Sequence, residues 1–156
     1  MKEASLTMLE NVCKQLPAGY EVHERTPSIT DYLRLRQVGG LTPRSHAAAE
    51  AGLPNSLYVL CIERDDHVIG MGRVVGDGAL FLHIVDVIVN PSHQGRGLSR
   101  LIVSALMAFV ENSIPAEAYV SLMANGEAHR LYQEFDFLPV LPDARGMAKW
   151  VGKRTP

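Results

Sequence analysis

At 156 residues, 47% hydrophobic and 21% charged, the chain has the balance of one globular domain, not of a disordered or low-complexity segment. Fifteen Lys and Arg against seventeen Asp and Glu leave a formal charge of −2, which excludes a general basic field for nucleic acid. The nearly apolar run Leu101 to Val110 is too short to span a bilayer, and the N-terminus bears Glu3 and Glu10 without the continuous apolar core of a secretory signal. Cys13 and Cys61 fit free thiols in a reducing compartment, not a disulfide framework or a metal site. The expectation is a soluble, cytoplasmic protein, one domain over residues 1–156, with no membrane or nucleic-acid partner.

Ser5 to Gln15 places Leu6, Leu9, Val12, Cys13 and Leu16 at helical spacing, and Pro17 to Gly19 ends that helix. A short strand is expected over Tyr20 to Thr26. Pro27-Ser28 opens a helix carrying Ile29, Tyr32, Leu33 and Leu35, which stops at Gly39-Gly40, and Thr42-Pro43 starts another that runs to Gly52. From there the period changes. Ser56 to Glu63, Val68 to Val75 and Leu80 to Val89 read as three strands of an antiparallel meander, joined by the polar turn 64–67 and by Gly76-Asp77-Gly78. Asn90-Pro91 breaks the third strand, and after a loop comes an apolar helix, about Leu98 to Asn112, that ends near Pro115. The remainder predicts a strand at Tyr119 to Met123, a helix at Glu127 to Phe135, and strands at Phe137 to Val140 and Met147 to Val151. The fold class is α+β, a central mixed, mostly antiparallel β-sheet with helices on both faces.

The most informative stretch runs Val87-Ile88-Val89, then Asn90 to His93, then Gln94-Gly95-Arg96-Gly97-Leu98-Ser99-Arg100. A buried strand enters a glycine-rich turn that opens a long helix, where free N–H groups and the helix dipole favour an anion. A P-loop would need Gly-Lys-Ser/Thr, which is absent. A Rossmann turn would need a glycine where Arg100 stands, and a parallel unit where a meander stands. An ordinary polar turn has the same local look.

Gln94-Gly-Arg-Gly97-Leu-Ser99 resembles the Q/R-x-x-G-x-G/A motif of the GCN5-related N-acetyltransferases, the GNAT superfamily, which cradles the pyrophosphate of acetyl-CoA. Asn125-Gly-Glu-Ala-His-Arg-Leu131-Tyr132-Gln-Glu-Phe-Asp-Phe137 is similar to that family's second signature, N-x-x-A-x-x-L-Y-x-x-x-G-F. Two departures stand out: Ser99 replaces a Gly or Ala, and Asp136 replaces the glycine before Phe137. Serine is small and keeps its N–H, and Asp tolerates the left-handed conformation better than most residues.

The resemblance implies acetyl transfer from acetyl-CoA, with no metal, to a primary amine by direct attack in a ternary complex. It places acetyl-CoA on Gln94 to Arg100, with Asn125 holding its chain and a main-chain N–H of Val87, Ile88 or Val89 on the thioester carbonyl. A free alkylamine has a pKa near ~10.4, so neutralising it at pH 7 costs about 4.6 kcal/mol, and a base is worth seeking. His83, eleven residues before Gln94, stands where the family often has a general-base Glu or His, and the arylalkylamine acetyltransferases resemble this chain in using histidine there. Asp86 is its competitor. On a regular strand Asp86 faces away from His83, unless a bulge intervenes, and three roles are open to it: binding the amine's charge, relaying a proton, or tying down a neighbouring loop. Tyr132 is the candidate acid toward the leaving sulfur.

Tyr32, Arg34 and His46 lie where the family shapes its acceptor site. A small-molecule amine, arylalkylamine- or polyamine-like, is expected. An amino-sugar phosphate, which Arg34, Arg36 and Arg44 would hold, is the nearest alternative, followed by a protein or peptide amine. A non-catalytic acyl-CoA-binding module is the rival of another class. Dimers are common in the family, so the resemblance admits a homodimer. The other five histidines, at 23, 46, 67, 93 and 129, show no metal-ligand spacing.

Overall fold

The computed structural model describes residues 2–152, with side chains from Thr7 onward. It contains two compact units, one running to Leu122 and the other starting at Met123. The first begins with helix α1 (Lys2–Gln15), strand β1 (Glu21–His23) and helices α2 (Ile29–Val38) and α3 (His46–Gly52). Strands β2 (Tyr58–Arg64), β3 (His67–Gly76) and β4 (Phe81–Val89) follow, then helix α4 (Leu98–Ser113) and strand β5 (Tyr119–Leu122). The sheet order is β1-β2-β3-β4-β5, antiparallel throughout except that β5 returns parallel to β4 after the α4 crossover.

Side-chain caps start the helices before the sheet: Ser28 accepts from the Asp31 N–H at α2, and Ser45 from the Ala48 N–H at α3. Asp77, between β3 and β4, accepts from the backbone N–H groups of Ala79, Leu80 and Phe81, and these bonds hold its carboxyl below the usual range.

Both faces of the sheet are covered, as expected. Met71 and Ile88 pack with Tyr32, Leu35, Ala49 and Leu53 of the α2–α3 side. The next residue of β3, Gly72, faces the other way, where an added Cβ would lie 2.6 Å from Ile102 Cγ2 and 2.9 Å from Leu106 Cδ1 of α4. Successive strand residues point to opposite faces, so α2 and α4 lie on opposite sides. Glycine at 72 lets α4 settle on the strand, burying Leu101, Ile102, Val103, Ala105 and Leu106. Met8 and Val12 bury the inner side of α1, leaving Cys13 exposed, whereas Cys61 of β2 is fully buried.

The second unit holds a short 3₁₀ turn at Gly126–Ala128 and helix α5 (His129–Gln133). The strands expected at Phe137 to Val140 and Met147 to Val151 are not formed among the described residues, so the sheet has five strands. Pro139 removes a ladder donor from the first of these segments, and Pro142 follows just beyond it. The second has no hydrogen-bonded neighbour strand, and a lone segment without one does not make a strand.

Candidate active site

Strand β4 is interrupted at the point where the chemistry was expected. Met71 pairs with Ile88 and Arg73 with Val85, so the single Gly72 faces two residues, Asp86 and Val87. This is a β-bulge. Asp86 takes a left-handed conformation, φ 53°, and the extra residue drops out of the ladder. The bulge corrects the expectation that His83 and Asp86 face opposite ways. Arg73 reaches Asp86 and the Tyr32 ring, so it lies on the α2 face. Val85 and His83, paired opposite Arg73 and Val75, share that face, and the bulge brings Asp86 to it as well.

His83 is half-buried and sits opposite Ser121 of β5. Its Nδ1 lies 2.9 Å from Ser121 Oγ, and that hydroxyl donates to Leu82 O at 3.4 Å. A serine proton pointing to Leu82 O goes with the Nδ1–H tautomer of His83. In that tautomer Nε2 carries the lone pair.

Asp86 has a different setting. Its side chain is 6% exposed, and its carboxylate accepts from Tyr32 Oη at 2.8 Å, Arg73 Nε at 2.8 Å and Arg36 Nη1. Arg36 also donates to Thr42 O, at 2.9 Å from Nε and 2.5 Å from Nη2, and Arg73 Nη1 donates to Ser56 Oγ at 2.8 Å. Burial first, then the Asp86 charge and hydrogen bond, raise the Tyr32 phenol, which keeps its proton and donates it.

The turn after β4 is built to leave donors exposed. Asn90 accepts from the Ser92 N–H at 3.0 Å, and Gln94 Nε2 donates to Val89 O at 3.3 Å. Gly95 and Gly97 stand at φ 77° and 76°, and Gly97 caps α4 without a side chain. A Cβ at either glycine would meet nothing, so each is needed for its backbone conformation and for the open space above it. Leu98 anchors the turn in the core while Gln94, Gly95, Arg96, Gly97 and Arg100 are exposed and Ser99 is half-exposed. The first N–H groups of α4 have no acceptor within the helix, and Arg96 and Arg100 stand just before and within its first turn in sequence, which fits the phosphates of acetyl-CoA. His93 hydrogen-bonds Tyr20 at 2.8 Å, and desolvation, then the Arg96 and Arg64 charges, lower its pKa and keep it neutral at pH 7.

In the second unit, Asn125 caps the turn before α5 and Tyr132 is buried on that helix, its ring edge-on to Phe137 at 6.0 Å. Burial raises the Tyr132 phenol, so it stays protonated. Asp136 adopts φ 65°, the conformation expected of the glycine it replaces.

The GNAT acetyltransferase family model matches residues 20–137, spanning the bulge, the glycine turn and the Asn125–Tyr132 segment. The chain belongs to the GNAT family. Among solved structures it is similar to a protein of unknown function, a probable acetyltransferase, from methicillin-resistant Staphylococcus aureus. The two are 39% identical with a TM-score of 0.81, over 85% of this chain and 99% of that one. A GNAT-family protein from Xanthomonas campestris is 28% identical with a TM-score of 0.66, over 84% and 94% of the two chains. The chloroplastic GCN5-related N-acetyltransferase 2 of Arabidopsis thaliana is 33% identical over 76 residues, which are 48% of this chain and 28% of that protein.

For a GNAT chain, several expected residues are placed differently from the sequence reading. Tyr32 is 4% exposed with its hydroxyl on Asp86, so it supports the strand and offers no open surface to an acceptor. Arg34 is bonded to Asp31 and to Val68 O, and Arg36 is buried, so two of the three arginines suggested for a sugar phosphate are engaged elsewhere. His46 is exposed at the start of α3. Ile88 and Val89 bury their side chains and Val87 turns toward the α4 face, so none of the three offers a polar side chain at the bulge.

Sequence reasoning missed Ser121, Arg73 and Ser56. Arg73 carried a signal: a lone charge in an apolar strand, two residues from Met71, needs a buried partner. It also missed Glu21, His23 and Glu63, whose ligand-type atoms lie within 4.8 Å of one another, with Arg25 paired to Glu63 as the cation there. Glu63 lies forty residues from His23, so no local spacing points to that group. Among the described residues, no helix is long and apolar enough to cross a membrane.

Proposed function

We propose that this chain transfers acetyl from acetyl-CoA to the primary amine of a small, arylalkylamine- or polyamine-like molecule, by direct attack in a ternary complex. The observation that carries the reading is His83, on the same face of β4 as the bulge, with Nδ1 engaged by Ser121 and the Nε2 lone pair available. In this reading the ammonium gives a proton to His83 Nε2 and the neutral amine attacks the thioester carbon. The C–N bond forms, the carbonyl oxygen gains charge beside the backbone N–H of Val87, Ile88 or Val89, the C–S bond then breaks, and the extra proton on the attacking nitrogen passes to the departing thiolate, directly or through water. Gln94 to Arg100 hold the phosphates, and Asn125 the chain that follows them.

Tyr132 is assigned to the departing sulfur on its motif. Its phenol lies above a thiol by about 2 kcal/mol even before burial raises it further, so it acts as a hydrogen-bond donor to the developing thiolate. The engagement of Arg34 and Arg36 elsewhere favours an amine without a phosphate over an amino-sugar phosphate.

The test is acetyl-CoA turnover against arylalkylamines, polyamines, amino acids, amino-sugar phosphates and short peptides, with His83→Gln and Tyr132→Phe beside the wild type. Turnover on one of the first two classes, slowed about 10²-fold in His83→Gln, supports the proposal. Turnover on another class moves the substrate. Acetyl-CoA binding without turnover on any amine would favour an acyl-CoA-binding module.

A further inference from the structure

Asp86 cannot readily fill either of the chemical roles that its sequence position suggests. As a base it would need a lone pair open to the acceptor, yet its carboxylate is 6% exposed and takes donors from Tyr32, Arg36 and Arg73. As a site for an ammonium it would need to be the dominant charge, yet two guanidinium groups flank it, both with carbons 5.8 Å from the Tyr32 ring centre. Both pair with the single Asp86 carboxylate, so the net charge there is positive and repels an incoming cation.

The carboxylate instead joins parts of the chain distant in sequence. Through Tyr32 and Arg36 it reaches α2, through Arg36 the carbonyl of Thr42, and through Arg73 both β3 and Ser56. The bonds from Tyr32, Arg36 and Arg73 converge on a residue held at φ 53°, a conformation that most side chains disfavour, in the two-for-one step of β4. A buried, fully hydrogen-bonded carboxylate is costly to move, because any displacement leaves charged donors unpaired.

We propose that Asp86 is a positioning residue: its bonds to Arg36, Arg73 and Tyr32 lock the β4 bulge so that the backbone N–H released there meets the acetyl thioester carbonyl. This rests on the reading of the chain as an acetyltransferase, and it assigns to this site a group that touches neither the acceptor nor the acyl carbon. Opening the lock misplaces the donor without disturbing the glycine turn, which holds CoA by separate residues. The adenine and phosphate end of the ligand is then bound as before while the carbonyl loses its partner.

The experiment uses acetyl-CoA labelled with ¹³C at the carbonyl, bound to the wild type, to Asp86→Asn and to Arg36→Lys. The thioester C=O stretch is read by isotope-edited infrared difference, and CoA affinity by calorimetry. The wild type is expected to lower the C=O frequency of the bound ligand. The variants are expected to lose that shift, keep CoA affinity within about threefold, and lose about 10²-fold in kcat on whichever amine is turned over.

Arg36→Lys keeps the positive charge but cannot fork between Asp86 and Thr42, so it decides the matter if Asp86→Asn does not fold. A folded variant that retains the wild-type shift would overturn the proposal. So would a wild type that binds acetyl-CoA without any shift. A wild type that binds neither CoA nor acetyl-CoA would instead overturn the acetyltransferase reading beneath it.

Discussion

Ser121, a serine on the neighbouring strand, lies 2.9 Å from His83 Nδ1 and 3.4 Å from Leu82 O, which places it to favour the Nδ1–H tautomer. Removing one neutral hydrogen bond of this kind costs about 1 kcal/mol, close to a fivefold effect. Ser121→Ala is therefore expected to lower kcat about fivefold, with KM for acetyl-CoA unchanged, in steady-state assays of the amine that is turned over. The same change added to His83→Gln should have almost no further effect, because serine acts through the imidazole.

Cys61 gives a pH prediction at the same scale. Burial pushes its thiol up to about 12, and its Sγ donates to Arg25 O at 3.2 Å. An unfolded chain loses that proton nearer the ordinary 9.0, so above pH 9 the folded state binds more protons and stability falls as pH rises. The slope for one such group approaches about 1.4 kcal/mol per pH unit. Urea unfolding at pH 9 and pH 10 should show a loss of about 1 kcal/mol in the wild type beyond that in Cys61→Ala.

Helix α4 and strand β4 differ in how openly the sequence declares them. The turn between them is a local event: a strand, two glycines and an apolar helix within about twenty residues, and each of those signals acts on its own neighbours. Gly97 makes the point testable. At φ 76° an alanine would cost about 1–2 kcal/mol. Gly97→Ala should lower the melting temperature in calorimetry and weaken CoA binding, even though its methyl would meet nothing in the protein.

The bulge is of another kind. It exists only because β3 supplies one residue where β4 supplies two, a matter of register between strands that periodicity along one strand cannot reveal. Tyr32, Arg36 and Arg73 were misjudged for the same reason, since their partner sits thirteen to fifty-four residues away. The expected C-terminal strands failed on a third ground, because a strand needs a neighbour as well as a pattern.

Across the whole molecule, the family, the antiparallel meander and the two motifs were readable because they are properties of element sequence and short spacing. The acceptor was not, because no motif or short spacing in the sequence specifies it. Ligand binding offers a test at this scale. At one hundred times its Kd, acetyl-CoA should raise the unfolding free energy by about 2.7 kcal/mol, visible as an upward shift in melting temperature. Added salt should shrink that shift, since Arg96 and Arg100 present exposed charges that are screened over roughly 10 Å at 0.1 M. A shift that ignores salt would mean that the phosphates are held by backbone donors with little help from the arginines.

The two cysteines also have a bearing on how this protein is handled at the bench. Turnover is conveniently followed by colouring the sulfhydryl of released CoA, and Cys13, exposed on α1, takes up the same reagent while Cys61 stays protected. Each mole of enzyme thus contributes one mole of instant background, and a Cys13→Ser chain removes it. In the unaltered chain the same asymmetry makes Cys13 a ready address for a single fluorescent dye, attached without engineering and remote from β4 in sequence.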